Sequence, residues 1–177
     1  MGKKRISQKN FYQIKTYKVV ISGILIALGV IFGSIFYIPI LGGKMFPIQH
    51  FINVVSAIIL GPFYAVLNAF CVSLIRNILG TGSLLAFPGS MIGALVAGII
   101  YKRSKKIYMT ALGEVIGTGI IGALVAYPIA KMVMGKEVAL FAFIFSFSLS
   151  CIGGTAFAIL FLNIPQIKEL IKNMEVS

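Results

Sequence analysis

Acidic residues are scarce in this chain of 177 residues, in which Asp and Glu together number 4 against 16 Lys and Arg, a formal net charge of +12. Charged residues make up only 11% of the chain, whereas soluble domains carry about 25%. Hydrophobic residues make up 59%, and the mean hydropathy is +1.01. So few polar residues cannot cover a water-soluble globule of this size. A cytosolic enzyme, a secreted disulfide scaffold and a nucleic-acid-binding protein are therefore excluded.

Chemically reactive residues are also few, with two cysteines and a single histidine. Cys71 and Cys151 lie inside separate apolar runs, where cysteine behaves as a small hydrophobic residue, and they indicate neither a disulfide framework nor a metal site. The phosphate-binding motif G-x-x-x-x-G-K-[ST] and the hydrolase motifs H-E-x-x-H and G-x-S-x-G are missing. We therefore expect a protein without catalysis, cofactor or metal of its own.

What the chain does have is long apolar runs between blocks of basic residues. A hydrocarbon core about 30 Å thick needs roughly 20 helical residues to cross it, and the Gly61-Pro62 pair divides the longest uncharged run. Six transmembrane helices are predicted, at about residues 17–38, 47–60, 62–79, 88–101 (or from 83, with a kink), 107–134 and 138–162. The sequence thus predicts an all-α integral membrane protein, a six-helix bundle over residues 17–163.

The basic residues predict which side of the membrane each loop occupies. Residues 3–18, 102–106 and 168–172 contain twelve of the sixteen, and six crossings bring these three blocks to one side. The positive-inside rule makes that side cytoplasmic. We therefore predict a single domain in the cell membrane with both termini in the cytoplasm, as tails over residues 1–16 and 164–177.

Polar residues inside membrane spans are costly, so those present are informative about function. Most of them fall towards the outer side, which indicates a small polar cavity. His50 as an interfacial histidine and Arg76 as an arginine reaching lipid headgroups are the structural alternatives. The predicted ligand-binding residues are Gln49, His50, Asn53, Arg76, Asn77, Glu114 and Tyr127.

The depth of Glu114 in the membrane follows from its position on the fifth predicted helix. At 1.5 Å per residue it lies roughly 10 Å from the cytoplasmic end of its helix, which predicts a depth different from that of His50. It reaches back to the basic block at residues 102–106, is held protonated by burial, or forms the floor of the cavity.

Small residues recur at the spacing that lets membrane helices approach closely. Gly89, Gly93 and Ala97 form one such stripe, and we predict internal packing for it. A second stripe comprises Ala142, Ser146, Ser150, Gly154 and Ala158. On the first helix, Gly23 and Ala27 permit either internal packing or contact with another membrane subunit, and we predict a docking face.

Three segments carry a resemblance to a known family. They are residues 46–53 (FPIQHFIN), 76–91 (RNILGTGSLLAFPGSM) and 113–119 (GEVIGTG). In these segments the chain resembles the ThiW family, thiazole-specific substrate-binding (S) components of energy-coupling factor (ECF) transporters. The similarity extends over about residues 19–160.

The resemblance implies capture of hydroxyethylthiazole, the thiazole part of thiamine, at the extracellular side. A membrane coupling subunit and two ATPases would complete the transporter, and Gly23 and Ala27 match the family's small-residue contact with the coupling subunit. Another thiamine precursor or the thiazole phosphate remains an alternative ligand. An intramembrane enzyme using His50 and Glu114 is disfavoured by their predicted depths, and a structural or channel-forming bundle by the lack of a polar line across the membrane.

Overall fold

The computed structural model describes residues 2–40, 43–135 and 139–176. A π-helical segment, Gly117–Gly122, joins α5 to α6, and two short strands, β1 (Ile38–Ile40) and β2 (Gly43–Met45), form an antiparallel hairpin. The α-helices are α1 (Gly2–Ile35), α2 (Pro47–Ile59), α3 (Pro62–Ile78), α4 (Ala86–Ser104), α5 (Ile107–Ile116), α6 (Ala123–Met132), α7 (Leu140–Leu162) and α8 (Pro165–Val176). The predicted helical membrane fold is thus found in its main features.

Three helical stretches of the described chain are long and apolar enough to cross a membrane: Thr16–Ile35, Ile107–Met132 and Phe143–Leu162. α2 and α3 are apolar but shorter. Many large apolar side chains are exposed on the outside of the bundle, as expected where lipid replaces water. The chain is therefore a multi-pass membrane protein, whereas the six crossings and the cytoplasmic termini stay predictions.

The helix breaks occur where turn chemistry predicts them. Gly61 has φ +85°, a conformation that glycine adopts readily, and Pro62 occupies the first turn of α3, where its missing N–H costs nothing. α4 ends at Lys105, in the left-handed region at φ 55°. The predicted division at Gly61-Pro62 and the end of the fourth helix at the basic block are confirmed.

The ends of the chain differ from the prediction. α1 begins at Gly2, so described residues of the predicted tail are helical, and it ends at Ile35 because the next residues pair as the β1–β2 hairpin. The second predicted tail contains α8, which is amphipathic and packs Ile167, Ile171 and Met174 against the apolar core. The predicted helix start at residue 138 lies outside the described residues, and α7 begins at Leu140.

Close backbone packing joins α4 to the helix formed by α5 and the π segment. A Cβ added at Gly117 would lie 2.8 Å from Gly93 Cα, and one added at Gly122 would lie 2.7 Å from Gly89 Cα. These glycines form a seam in which backbone meets backbone, so the predicted internal packing of the stripe on α4 is confirmed. In the stripe on α7, Gly154 lies against the Pro47 carbonyl oxygen of α2, whereas the side chain of Ala142 lies outside the description.

Candidate ligand-binding site

A cavity of about 930 Å³ lies between the hairpin, the start of α2, the α3–α4 turn, the π segment and α7. Tyr37 and Leu84 are exposed, so they belong to its outer end, whereas His50 and Ser90 are buried at its inner end. The remaining lining residues are mostly small, hydroxylated or aromatic, among them Phe46, Gln49, Asn77, Thr81, Gly89, Thr118, Phe143, Ser146, Phe147 and Ser150. This is a mixed polar and aromatic site of the size that binds small molecules.

A buried carboxylate lies at the inner end of the cavity. Glu114 is 0% exposed, and its Oε1 lies 2.9 Å from His50 Nδ1. Asn53 Nδ2 donates to the same oxygen at 2.9 Å, and the Thr118 hydroxyl lies 3.1 Å from it. The other oxygen, Oε2, has no hydrogen-bond partner in the described part of the chain. Three neighbouring side chains thus fix the carboxylate in place.

His50 connects this carboxylate to the cavity. Its Nδ1 also lies 3.3 Å from the sulfur of Cys151, on α7. None of the hydrogen bonds among the described residues uses Nε2, and the ring lines the cavity. Nε2 is therefore the ring atom left to interact with a ligand.

Asn53 links α2 to α4 and α5. Besides Glu114, its Nδ2 contacts the Ser90 hydroxyl at 3.0 Å and the Ser90 carbonyl at 3.2 Å. The Ser90 hydroxyl lies 3.3 Å from Asn53 Oδ1 and can donate to it. Asn53 therefore positions both Glu114 and Ser90, and Ser90 lines the cavity.

Arg76 is buried and supports the α3–α4 turn from behind the cavity lining. Its Nη1 donates to Gln49 Oε1 at 2.8 Å, and its Nη2 donates to the Thr81 carbonyl at 3.0 Å. The guanidinium lies over the Phe46 ring, 4.0 Å from the ring centroid. Within the described chain it pairs with no carboxylate. At 1% exposure, it does not reach lipid headgroups, so the snorkelling alternative is wrong.

Of the seven predicted site residues, three line the cavity and Tyr127 lies apart from it. The other three, Asn53, Arg76 and Glu114, lie behind the lining and contact residues that belong to it. Gln49, His50 and Asn77 line the cavity, and Asn77 Nδ2 donates to the Ser83 carbonyl at 3.1 Å within the turn. Tyr127 instead packs edge-on against Phe143, with ring centroids 6.2 Å apart, and does not line the cavity.

The predicted difference in depth between His50 and Glu114 is wrong. α2 has 13 residues, which at 1.5 Å per residue spans about 20 Å, less than the roughly 30 Å of a hydrocarbon core. The 2.9 Å contact between His50 and Glu114 shows that the first turn of this short helix lies level with Glu114 in the bundle. This removes the depth argument against an intramembrane enzyme, and it excludes the alternative in which Glu114 reaches back to the basic block.

Sequence reasoning missed Cys151, Ser90 and Thr118. Thr118 lies at i+4 from Glu114, a helical spacing that could have indicated their contact. Cys151 gave no such signal, because it is 101 positions from His50 and lies in an apolar run.

A multi-pass helical bundle that encloses a polar and aromatic cavity has the architecture of a membrane protein that binds and carries small molecules. The chain belongs to the ThiW family, whose model, described as thiamine-precursor transporter protein, matches residues 19–167. Residues 46–53, 76–91 and 113–119, the segments that carry the resemblance and that line or support the cavity, lie within that range. No curated protein and no solved structure matches the chain. The depths of His50 and Glu114 no longer argue against an intramembrane enzyme. Membership of a transporter family disfavours one instead.

Proposed function

We propose that this protein is the S component of an ECF-type importer and that it binds hydroxyethylthiazole in the described cavity. The observation that carries the proposal is the buried His50–Glu114–Asn53 cluster at the inner end of a cavity with aromatic walls. A small heterocycle presents a π face, a ring nitrogen and a hydroxyl. Such a ligand needs an aromatic surface and a few aimed polar partners, and the cavity supplies both.

The aromatic wall is supplied by α7 and the hairpin. Phe143 and Phe147 both line the cavity, with ring centroids 6.1 Å apart, and Phe46 lines it near the start of α2. At the inner end, His50, Ser90 and Thr118 line the cavity and also contact the carboxylate or Asn53. A ligand hydroxyl can donate or accept, so it can pair with His50 in either tautomer.

The charge at the inner end favours the alcohol over its phosphate. Glu114 lies directly behind His50, and when no cation neutralises this carboxylate it repels a phosphate placed there, in a medium of low dielectric. Arg76, the buried cation that could bind a phosphate, is engaged by Gln49 and Thr81 and lies against the Phe46 ring. Lys44 is also a cation, but it lines the outer end of the cavity rather than the inner end. Its Nζ lies 4.4 Å from the Tyr37 ring centroid.

Energy for transport is proposed to come from partner subunits, because the chain has no ATP-binding motif. Gly23 and Ala27 lie on the exposed surface of α1, and a Cβ added at Gly23 would meet no described atom within 4 Å. Internal packing therefore does not account for this pair. The two residues offer a flat surface for close approach of a helix from the coupling subunit.

Isothermal titration of detergent-purified protein with hydroxyethylthiazole tests the proposal. Asn53→Ala should weaken binding by roughly five- to a hundredfold, because Ser90 and Glu114 lose the side chain that positions them beside the cavity, and a lost polar contact in a water-poor site costs about 1–3 kcal/mol. Asn68→Ala is the matched control, since Asn68 is also buried and also donates its Nδ2 to a serine, Ser56, but lies away from the cavity.

The phosphate of the same thiazole should bind more weakly than the alcohol. Equal binding by the wild-type, Asn53→Ala and His50→Ala proteins would contradict the proposed site. Preferential binding of the phosphate would contradict the proposed ligand.

A further inference from the structure

Three side chains able to bind a metal converge below the cavity. His50 on α2, Glu114 on α5 and Cys151 on α7 are all buried, and their donor atoms lie within 4.8 Å of one another. His50 Nδ1 is 2.9 Å from Glu114 Oε1 and 3.3 Å from Cys151 Sγ. Three separate helices thus direct an imidazole nitrogen, a carboxylate and a thiol to one point.

Hydrogen bonding alone does not satisfy these three groups. Nδ1 has one site in the ring plane, which holds either a proton or a lone pair, so it cannot pair well with both the carboxylate and the thiol. Glu114 Oε2 is buried and has no hydrogen-bond partner among the residues that the structure describes. Buried polar atoms are rarely left unpaired. A cation among the three donors would satisfy the nitrogen, the sulfur and the carboxylate together.

We propose that His50, Glu114 and Cys151 form a binding site for a divalent cation of the zinc class. Thiolate, imidazole and carboxylate are the ligands that zinc takes in proteins, at about 2.3 Å to sulfur and 2.0–2.2 Å to nitrogen and oxygen. Ligands at those distances from one tetrahedral ion lie about 3–4 Å apart, which the observed separations approach. A thiol argues against magnesium or calcium, which prefer oxygen ligands.

Charge balance also favours the ion in this setting. One thiolate and one carboxylate neutralise a divalent cation, so the loaded site adds no net charge to the interior of a membrane protein. Asn53 and Thr118 direct their polar groups to Oε1, the carboxylate oxygen that faces His50, and so fix its orientation, as outer-shell partners of metal ligands commonly do. Because His50 lines the cavity, an ion can reach the site from there.

The site lies at the base of the cavity assigned above to the thiazole alcohol, and the inference rests on that proposed function only for the effect of the metal on ligand binding. Metal binding itself depends on the three side chains alone.

The test is the metal content of full-length protein, freed of any polyhistidine tag, incubated with zinc chloride in detergent and desalted. Mass spectrometry of the wild type should find about one zinc ion per chain, as expected for a single three-ligand site. Cys151→Ser should lose the ion, whereas Cys71→Ser, which removes the other cysteine, should retain it. Cobalt in place of zinc should give a sulfur-to-metal charge-transfer band in the wild type that Cys151→Ser lacks.

Two results would overturn the inference: zinc no more abundant in the wild type than in Cys151→Ser, or bound cobalt without the charge-transfer band. Titration of hydroxyethylthiazole with and without a chelator separates the two proposals. If no zinc binds but the thiazole does, the metal site is wrong and the proposed function stands. If zinc binds but no thiazole does, the proposed ligand is wrong and the metal site stands.

Discussion

His50 Nδ1 and Glu114 Oε1 lie 2.9 Å apart although 64 positions of sequence separate them. The contact joins α2 to α5 directly beneath the cavity. Asn53 and Thr118 direct their polar groups to the same oxygen. The carboxylate therefore has a structural role as well.

Glu114→Ala is expected to destabilise the protein more than Glu114→Gln does. Alanine removes the oxygen that His50, Asn53 and Thr118 share, and the lost hydrogen bonds cost about 1–3 kcal/mol, whereas glutamine keeps an oxygen there. Thermal unfolding in detergent measures the difference. Glu169→Ala on the exposed surface of α8 is the control and should leave the midpoint unchanged. Equal midpoints for the two Glu114 variants would contradict the role assigned to Oε1.

Gly93→Ala is expected to lower both stability and ligand affinity. The added methyl would overlap the Thr118 hydroxyl and lie 2.6 Å from Glu114 Oε2, and overpacking of this kind typically costs 1–3 kcal/mol. Gly153→Ala is the matched control on α7, since its nearest neighbours, atoms of Pro47, lie at 3.7 Å. Unfolding and thiazole titration of both variants check the expectation. A Gly93→Ala protein as stable as Gly153→Ala would show that the seam can relax.

Arg76→Lys is expected to weaken binding of the alcohol and the phosphate by similar factors. Lysine keeps the charge but cannot reproduce the two-pronged contact with Gln49 and the Thr81 carbonyl. The α3–α4 turn would then be held less firmly beside the cavity. Parallel titrations with both ligands distinguish this supporting role from phosphate recognition, which would appear as a selective loss of phosphate binding.

Ala27→Trp is expected to abolish uptake and co-purification with a coupling subunit while leaving thiazole affinity nearly unchanged. The indole would hold a partner helix away from the small-residue face of α1. Leu112→Trp enlarges an exposed residue of α5 and should affect neither property. A collapse of thiazole affinity in Ala27→Trp would indicate internal packing instead.

Both termini are expected to be protected from an impermeant thiol reagent in intact cells. Single cysteines introduced near either end of the Cys71→Ser protein provide the measurement, since Cys151 is 0% exposed. The excess of basic residues in the terminal and 102–106 blocks is the physical reason. Labelling of either end from outside would contradict the predicted topology.

Local chemistry made much of the fold predictable. Gly61-Pro62 and the basic block after Tyr101 end helices for reasons that act within a few residues. The β1–β2 hairpin and α8 were missed because they occupy segments that an apolar-run criterion assigns to loops and tails. A strand of three residues has too short a pattern to detect.

The candidate site was predictable in residue types but not in depth. Polar side chains are costly inside apolar spans, and this alone indicated Gln49, His50, Asn53 and Glu114 as candidate site residues. Their mutual contact depends on how far α2 extends across the bilayer, which counting from helix ends cannot reveal. Cys151 was missed for a different reason, since nothing in its neighbourhood distinguishes it from an apolar filler.

The glycine seam between α4 and the π segment leaves the cavity with one fixed wall and one adjustable wall. Where Gly93 meets Gly117 and Gly89 meets Gly122, the two backbones are in contact, and no side chain lies between them that could rotate aside. α7 faces the cavity through Phe143 and Phe147, whose rings can turn about their side-chain bonds. Passage of a ligand between the cavity and its surroundings therefore depends on displacement of α7, the hairpin or the α3–α4 turn, with the seam as the stationary frame.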